Sequence, residues 1–472
     1  MGETSPIIFW FRRDLRLADH EGLSAAAQTG RPVIAVFICD ALVETCGAAP
    51  KWRLGLGVET FGKALEQIGS RLILRRGPAL DVLRALVAET GAGAVWWSRA
   101  YDPDAVARDK VVKAGLSSDG IDAQSHKGHV LFEPWTVETK TGGFYKVYTP
   151  MWKSVRDREV AQLRPAISKL ASPKRWPASD ALEDWGLDKD MRRGAAIVAQ
   201  HVTVGERAAM DRLHKFTENR IADYKAARDE MATRGTSGLS ENLTYGEISP
   251  RQCWHAGQAA LMAGKSGAET FLKELVWREF AYHLAFHTPR ITTDNWRMEW
   301  DQFPWSTDEA FALRWKQGRT GIALVDAAMR EMYVTGIMHN RGRMIVASYL
   351  TKHMMTHWKI GMAWFADCLI DWDPASNAMG WQWSSGSGPD ATPYFRVFNP
   401  DTQAEKFDKQ NSYRSRWLAE GYRNPAKEAL EFYEAIPKAW GLSPSDRIPA
   451  PLVDLPSGRQ RALDAYKTRP TA

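Results

Sequence analysis

The chain has 472 residues, 44% of them hydrophobic, which is enough for two or three domains with apolar cores. Its formal net charge of +6 permits a polyanionic partner but does not require one. Four cysteines occur without CxxC or Cys/His spacing, which excludes zinc fingers, iron–sulfur clusters and a disulfide scaffold, so we predict no metal site. The sequence has no apolar run of membrane-spanning length, and we expect a protein of the reducing cytoplasm.

Residues 7–130 alternate short β-rich runs with longer helical patterns, which include residues 54–68 and 79–89. The runs are IIFWF, PVIAVFI, RLILRRG and AVWWSRAY. This rhythm is typical of a parallel α/β sheet, and we assign residues 1–131 to one Rossmann-like domain. GxGxxG and Walker A patterns do not occur in it, so this half is not predicted to bind a nucleotide by itself.

The middle of the chain, residues 162–200, is polar and punctuated by proline, and it predicts a connector that we place at residues 132–202. A TVGE pattern at Thr203 predicts a capping box that starts a helix. Helical periodicity continues to about residue 369. The sequence therefore predicts a fold of the α/β plus all-α class, with a helical domain over residues 203–472.

A hydroxyl-rich loop precedes a helix of this domain. It consists of Thr236, Ser237, Gly238, Leu239 and Ser240. Hydroxyl groups beside a flexible glycine can cradle a diphosphate. A plain Ser/Thr turn with a helix cap gives the same pattern, so both interpretations stay open at this point.

The segment FLKELVWREFAYHLAFH predicts a helix that places Glu274, Trp277 and Arg278 on one face. A carboxyl group beside an indole lies in a low dielectric and favours its protonated form. Glu274 could then donate a hydrogen bond or a proton to a substrate that gains negative charge. The alternative is a surface ion pair between Glu274 and Arg278, with Trp277 in the core.

The segment MHNRGRMIVAS predicts a second helix with different contacts on its two sides. Asn340 and Met344 are one turn apart, and Arg341 lies beside Met344, whereas Arg343 points away from that face. Arg341 could reach a phosphate, and Arg343 could pair with Asp371. Met344 offers a soft apolar contact, although a methionine at helical spacing is also an ordinary core residue.

The segment DWDPASNAMGWQW combines two acids, an amide and two tryptophans within 13 residues. These residues are Asp371, Asp373, Asn377, Trp381 and Trp383. The acids can hold a cation or ribose hydroxyls, the amide can donate and accept, and tryptophan is the most easily oxidised side chain. The combination suits a bound redox cofactor.

The same segment closely resembles the flavin-binding core of the photolyase/cryptochrome family, whose order of acids, asparagine and tryptophans is intact here. The resemblance covers the chain from IIFWFRRDLRLADH through GGFYKVYTPMWK to EKFD. It implies an N-terminal α/β antenna domain and a C-terminal α-helical domain that binds FAD and DNA. The implied FAD-binding residues are Tyr224, Thr236, Ser237, Gly238, Leu239, Ser240, Arg278, Arg343, Asp371, Trp372, Asp373 and Asn377.

The resemblance also implies repair of UV-damaged DNA, in which light-excited reduced FAD passes an electron to a flipped-out cyclobutane pyrimidine dimer. The implied DNA-binding residues are Trp277, Asn340, Arg341, Met344, Trp383 and Gln403, with Lys406 near the DNA backbone. The implied catalytic residues are Glu274, Asn377, Trp381, Trp358 and Trp305. Trp381, Trp358 and Trp305 would form an electron path, although ordinary aromatic packing is the alternative for each of them.

Two residues bear on the choice of activity within the family. Pyrimidine-dimer photolyases carry methionine at the position of Met344, whereas (6-4) photolyases carry histidine there. The resemblance is therefore to microbial cyclobutane pyrimidine dimer photolyases. The alternative is a cryptochrome, which is a blue-light photoreceptor on the same fold. Asn377 argues against the photoreceptor, since plant-type proteins have aspartate and animal proteins have cysteine near flavin N5.

The N-terminal half leaves open a second, light-harvesting chromophore. Folate-binding relatives often carry a glutamate near the position of Ala105, and this chain has none there. Methenyltetrahydrofolate is the first choice, with deazaflavin or no antenna as alternatives. The resemblance further implies a monomer of the bacterial cytosol, with no membrane and no obligate protein partner.

Overall fold

The computed structural model describes residues 4–390 and 395–469 and divides them into an α/β half and a helical half. The predicted fold class is therefore confirmed. In this part of the chain no helix is both long and apolar enough to cross a membrane. The predicted domain boundaries at residues 131 and 202 stay predictions.

The N-terminal half is built on a parallel sheet of strands β1 to β5. Their bounds are Ile7–Phe11, Val33–Cys39, Leu72–Arg76, Ala94–Ser98 and Asp122–His126. The strand order is β3-β2-β1-β4-β5, and every neighbouring pair is parallel. The four predicted β-rich runs form β1 to β4. The sequence does not predict β5, because DAQSH is polar, as the edge of a sheet tolerates.

Helices cover both faces of this sheet. In chain order they are α1 Glu21–Gln28, α2 Ala41–Glu44, α3 Ala48–Gln67, α4 Ala79–Thr90 and α5 Pro103–Ser118. Strands β1 and β2 are fully buried, with Phe9 and Phe37 in the apolar layer on one face and Ile8 and Val36 in the layer on the other. Side chains of β1 and β2 are therefore apolar at every position, as a parallel sheet with two covered faces requires.

The helical half contains helices α6 to α21 and a π-helical turn, Tyr349–His353. The helices are α6 Tyr148–Val155, α7 Gly194–Val198, α8 Glu206–Asn219, α9 Tyr224–Ala227, α10 Ser240–Thr244, α11 Pro250–Met262, α12 Ala268–His287, α13 Glu309–Lys316, α14 Ala323–Thr335, α15 Asn340–Ser348, α16 Trp358–Cys368, α17 Pro374–Ser385, α18 Pro400–Phe407, α19 Ser412–Trp417, α20 Lys427–Ala435 and α21 Leu455–Thr468. Two apolar clusters form the interior, one around α11 and α12 and one around α14 to α17.

Helix α8 starts later than the sequence predicts. Its N-cap is Gly205 at φ +93°, without a side-chain cap, so the predicted capping box at Thr203 is wrong. The glutamate of that pattern, Glu206, instead accepts the backbone N–H groups of Leu17 and Ala18 at 2.7 and 2.8 Å. A partner from the N-terminal half therefore takes the carboxylate that a capping box needs.

A buried arginine ties the two halves together. Arg53 of α3 is fully buried, and its guanidinium lies 2.5 Å from Glu241 and 2.7 Å from Glu247. Burial alone lowers the pKa of Arg53, but the two carboxylates outweigh it and raise the pKa above its ordinary value. The charged arginine thus anchors the region just after the hydroxyl-rich loop.

Candidate functional site

Helix α17 lies at the centre of the candidate site. It packs against α12, α15 and α16, so it brings together the motifs that the sequence analysis singles out. Its N-cap is Asp373, whose Oδ1 accepts the backbone N–H of Ser376 at 2.8 Å, and Pro374 occupies the first turn. Its C-cap Gly386 adopts φ +97°, a conformation that ends the helix. The helix is therefore fixed at both ends.

The predicted ion pair between Arg343 and Asp371 is present. Both carboxylate oxygens of the buried Asp371 accept from the Arg343 guanidinium, at 3.0 and 2.8 Å. The same guanidinium donates to the Met338 carbonyl at 2.9 Å. The backbone carbonyl of Asp371 accepts from the Thr244 hydroxyl at 3.2 Å. These contacts join the start of α15 to the segment that precedes α17.

Asp373 makes contacts that the sequence does not predict. Its Oδ2 accepts from the Tyr282 hydroxyl and lies 3.3 Å from Arg13 of the N-terminal half. Burial alone raises the pKa of Asp373, but Arg13 and Arg278 outweigh it and lower the pKa below its ordinary value. The carboxylate is an ionised link between α17, α12 and the N-terminal half. Its contact with ribose hydroxyls stays a prediction.

Asn377 and Trp381 lie one turn apart on α17, and both are buried. The Asn377 side-chain amide donates to the Asp373 carbonyl at 3.0 Å. Trp381 is buried, yet its Nε1 has no hydrogen-bond partner among the described residues. A buried donor without a protein partner, one turn from a buried amide, fits a site that a bound cofactor such as a flavin completes.

The hydroxyl-rich loop before α10 is held by Arg212 of α8, whose guanidinium donates to the Gly238 carbonyl at 2.5 Å. Gly238 adopts φ +69°, the left-handed conformation that glycine takes without strain. The three hydroxyl residues of the loop remain at least partly exposed. Tyr224 is buried, with its ring 5.3 Å from that of Phe216. The loop therefore offers hydroxyls on a rigid support, although its contact with a diphosphate stays a prediction.

The three tryptophans of the predicted electron path lie close to one side of α16. Trp381 packs against Gly361, where a Cβ would overlap the indole ring. Trp358 lies almost one turn earlier on α16, and the His357 ring lies 5.6 Å from Trp358 and 5.1 Å from Trp305. Trp381 and Trp358 are buried and Trp305 is partly exposed, so the three run from the interior towards the surface. Electron transfer along them stays a prediction.

Glu274 has a partner that the sequence does not predict. The Arg228 guanidinium contacts its carboxylate, and the Glu274 side chain is 32% exposed. The predicted low-dielectric setting is therefore wrong, because charge and solvent both surround the carboxyl group. The alternative ion pair with Arg278 is also wrong, since the guanidinium of Arg278 is directed to other groups.

Arg278 donates to the His129 carbonyl at 2.9 Å, and its guanidinium lies 3.3 Å from Glu279. These partners occupy the Arg278 guanidinium, for which the family resemblance implies a contact with FAD. That contact stays a prediction. Glu279 in turn accepts the backbone N–H groups of Leu131 and Phe132. Burial raises the pKa of Glu279 to about 7. The two side chains thus fasten α12 to the segment that follows β5.

Arg341 is paired within the protein. Its guanidinium donates to both carboxylate oxygens of Asp229, at 2.9 and 2.8 Å, and lies 4.5 Å from the centre of the Phe407 ring. The side chains of Arg341 and Asp229 are 24% and 30% exposed, respectively. A phosphate contact of Arg341 must therefore share or replace this ion pair.

The other residues with predicted DNA contacts reach the surface. Asn340 is exposed, and its Nδ2 lies 3.9 Å from the sulfur of the partly exposed Met344. Trp383 and Gln403 are partly exposed, and Lys406 is exposed. Met344 is therefore not an ordinary buried core residue.

Trp277 is partly exposed, and one face of its indole is covered. The Tyr148 ring stacks on it, with ring centres 3.7 Å apart and planes 4° from parallel. Trp277 also packs against the apolar cluster around α11 and α12, so the alternative of a core position holds in part. The indole packs on one face while the residue keeps access to solvent.

Comparisons with known families agree with this arrangement. Residues 7–170 match the DNA photolyase family, and residues 271–468 match the FAD binding domain of DNA photolyase. The chain belongs to the DNA photolyase family. Its helical half thus contains the FAD-binding domain of that family.

Individual relatives span almost the whole chain. The chain is 42% identical to the deoxyribodipyrimidine photo-lyase of Agrobacterium fabrum, over 98% of each protein. It is 32% identical to cryptochrome-2 of Arabidopsis thaliana, over 96% of this chain and 77% of that protein. A solved bacterial class III photolyase from Agrobacterium tumefaciens superposes with a TM-score of 0.90 at 41% identity, over 99% of this chain and 98% of that chain.

This photolyase-family chain also has a cavity of about 310 Å³ between its two halves. The walls come from the carboxyl ends of β1, β2 and β4 and from residues of the helical half that include Thr244 and Trp372. Arg108 and Asp40, which are 2.9 Å apart, line it as an ion pair. Ala105 lies in the same wall. The position where folate-binding relatives often carry a glutamate therefore lies in the wall of this cavity.

Several partners in the photolyase site have no local signal in the sequence. Arg228, Asp229 and Tyr148 contact predicted site residues that are 46 to 129 positions away. Trp300, which stacks on Trp305 at 5.6 Å, is also not predicted. Only Tyr148 lies in a segment, GGFYKVYTPMWK, that the family resemblance singles out.

Proposed function

We propose that this chain is a deoxyribodipyrimidine photo-lyase that uses light to repair cyclobutane pyrimidine dimers in UV-damaged DNA. Helix α17 carries the proposal: it places the buried Asn377 amide one turn from Trp381, whose indole N–H has no partner among the described residues. The Arg343–Asp371 ion pair joins α15 to the segment before α17, and the name shared by the photo-lyase relatives supports the same activity. The protein acts as a monomer in the bacterial cytoplasm, with damaged DNA as its partner.

When bound, FAD supplies the light-driven electron donor for the dimer. The residues of the chain hold the cofactor and the lesion in place. Arg343 and Asp371 fix the start of α15, and the Asn377 amide is the proposed contact for the flavin ring. Trp277 and Trp383 offer aromatic surfaces to a flipped-out dimer. Such a lesion is badly stacked in DNA, so its extrusion costs less than that of normal bases.

Glu274 and Asn340 are the proposed hydrogen-bond partners of the lesion's base edges. Asn340 is exposed, so its amide is available to donate and accept. Glu274 is paired with Arg228, and an ionised carboxylate accepts hydrogen bonds but donates none. Glu274 therefore receives a pyrimidine N–H, which reverses the direction of the hydrogen bond predicted from the sequence.

A blue-light photoreceptor of the cryptochrome type is the second candidate, because a plant cryptochrome matches most of the chain. Asn377 favours repair over signalling. An amide does not titrate, whereas the aspartate expected in plant-type photoreceptors does. Light-dependent repair by the purified protein separates the two functions.

We expect the reduced, purified protein to repair cyclobutane dimers under blue light and to leave (6-4) photoproducts largely intact. Met344 supplies an apolar contact without an acid or base, whereas the histidine of (6-4) photolyases can transfer a proton. Mass spectrometry of DNA that carries one defined lesion, irradiated or kept dark, measures the result. Equal repair of both lesions would contradict the assigned pocket, and no light-dependent repair of either would contradict the proposed function.

Arg341→Ala is expected to weaken binding of damaged and undamaged DNA alike. The variant loses a phosphate contact and leaves the Asp229 carboxylate unpaired, and both changes act on any sequence. The slope of log affinity against log salt concentration should become shallower by about one unit. Fluorescence anisotropy over a salt series measures both effects. As a control, Arg84→Ala removes an arginine that pairs with Asp119 in the N-terminal half, and it should change neither.

Trp277→Ala is expected to act in a different way. It removes a stacking surface, which contributes roughly 1–3 kcal/mol per base, so the preference for damaged DNA falls while the salt dependence and bound FAD stay unchanged. The same anisotropy series, with and without one dimer in the oligonucleotide, measures the preference. Full discrimination by Trp277→Ala would show that the indole serves packing alone.

We propose that the cavity between the two halves holds a light-harvesting chromophore. Its volume of about 310 Å³ lies in the range of small-molecule sites. Arg12 and Arg108 in its wall pair with Asp109 and Asp40, so the carboxylates of methenyltetrahydrofolate must share or replace these ion pairs, and deazaflavin is the alternative. We expect mass spectrometry of an extract to show a second chromophore besides FAD, and Ala105→Phe to lose it while FAD is kept. Extraction of FAD alone from the wild type would contradict this assignment.

A further inference from the structure

Tyr148, the first residue of α6, makes a contact that the proposed function does not explain. Its ring lies parallel to the Trp277 indole, with centres 3.7 Å apart and planes at 4°. Tyr148 is buried, whereas Trp277 is partly exposed. The Tyr148 hydroxyl donates to the Lys273 carbonyl of α12 at 2.7 Å. This bond fixes the tyrosine ring about one turn from Trp277.

The backbone of Tyr148 makes a contact with a second part of the site. Its N–H lies near the carboxyl group of Asp390, in the segment that follows α17, where it opposes the rise that burial causes in the pKa of Asp390. Asp390 adopts φ +54°, an uncommon conformation for a residue other than glycine. Tyr148 therefore bonds to α12, which carries Trp277, and lies near the segment that follows Trp383.

We propose that Tyr148 is a positioning residue for lesion binding, because its ring sets the plane of the Trp277 indole. The proposal rests on the proposed function, in which Trp277 stacks against the flipped-out dimer. A partly exposed indole turns about its side-chain bonds unless a neighbour restrains it. A parallel aromatic contact resists this turning, since rotation breaks the stack. Tyr148 occupies one face of the indole, so the lesion meets the other.

Residues of α6 besides Tyr148 also hold the helix in place. Met151, Trp152 and Val155 of the same helix are buried in the apolar cluster around α11 and α12. A residue without a ring at position 148 therefore leaves the helix anchored while it removes the stack. Loss of structure and loss of positioning can be separated by experiment.

The test compares Tyr148→Leu and Tyr148→Met, which lack a ring, with Tyr148→Phe, which keeps the ring but loses the hydroxyl. Binding is measured in the dark for one oligonucleotide with and without a single cyclobutane dimer. We expect the Leu and Met variants to lose at least about fivefold in the ratio of damaged to undamaged affinity. Tyr148→Phe should keep the ratio. Bound FAD and affinity for undamaged DNA should stay at the wild-type level in all three.

Two controls separate positioning from a general loss of packing. Tyr333→Leu removes a tyrosine that stacks on Trp364 in the other apolar cluster, and it should keep the affinity ratio. In a Trp277→Ala background, Tyr148→Leu should cause no further loss, because the residue it positions is gone.

Three results would overturn the positioning role of Tyr148. They are normal discrimination by folded Leu and Met variants, an equal loss in Tyr148→Phe, and misfolding of both variants without a ring. Absence of light-dependent repair by the wild type would instead overturn the proposed function.

Discussion

Asp371→Ala is expected to be purified with little or no FAD. The substitution leaves the Arg343 guanidinium without its carboxylate, and removing one partner of a buried ion pair costs about 3–5 kcal/mol. Arg343 is 22% exposed, so the lower end of that range applies. Even about 1.4 kcal/mol of this cost, when it falls on cofactor binding, lowers the affinity for FAD tenfold. The ratio of flavin to protein absorbance, followed by titration with FAD, measures the loss.

A matched variant distinguishes a cofactor effect from a loss of stability. Asp408 is also buried and pairs with an arginine, Arg414, at 2.9 Å, but it lies after α18. Asp408→Ala should lower the melting temperature by an amount comparable to Asp371→Ala and keep its FAD. Full flavin occupancy in Asp371→Ala would show that the Arg343–Asp371 pair does not support the cofactor site.

The fold is predictable where the sequence pattern has a single physical solution. Short apolar runs separated by helical patterns give β1 to β4, because both faces of a parallel sheet must be buried. The polar strand β5 has no such signal, since pairing at one edge is enough to form it. The start of α8 is missed for another reason. The helix competes for Glu206 with two backbone N–H groups nearly 190 positions away, and a local pattern cannot show that competition.

The candidate site also has features that the sequence predicts and features that it does not. Spacing along α15 correctly directs Arg343 towards Asp371, because side-chain directions on a helix follow from position alone. Spacing cannot reveal which distant group neutralises a charge. Arg341 and Asp229 are 112 positions apart, and Glu274 and Arg228 are 46 apart. Both pairs change the expected chemistry, since a paired guanidinium and a paired carboxylate meet DNA differently from free ones.

Trp381→Phe is expected to block photoreduction of oxidised flavin in the presence of a thiol, and to leave repair by chemically pre-reduced protein nearly intact. Trp381 is the buried member of the three tryptophans, and Trp358 and the partly exposed Trp305 continue from it to the surface. Phenylalanine keeps the aromatic packing on Phe365, where the rings are 4.9 Å apart, but it is much harder to oxidise than tryptophan. Flavin absorbance under blue light measures photoreduction, and dimer loss measures repair.

The same substitution at Trp417 provides the control. Trp417 is buried in the same apolar cluster, and its Nε1, like that of Trp381, has no partner in the part of the chain that the structure describes. Trp417→Phe should photoreduce normally, because it lies outside the path from Trp381 to Trp305. If pre-reduced Trp381→Phe repairs DNA as poorly as the unreduced variant, Trp381 serves the geometry of the site. In that case its unsatisfied N–H and its contact with Gly361 matter more than its ease of oxidation.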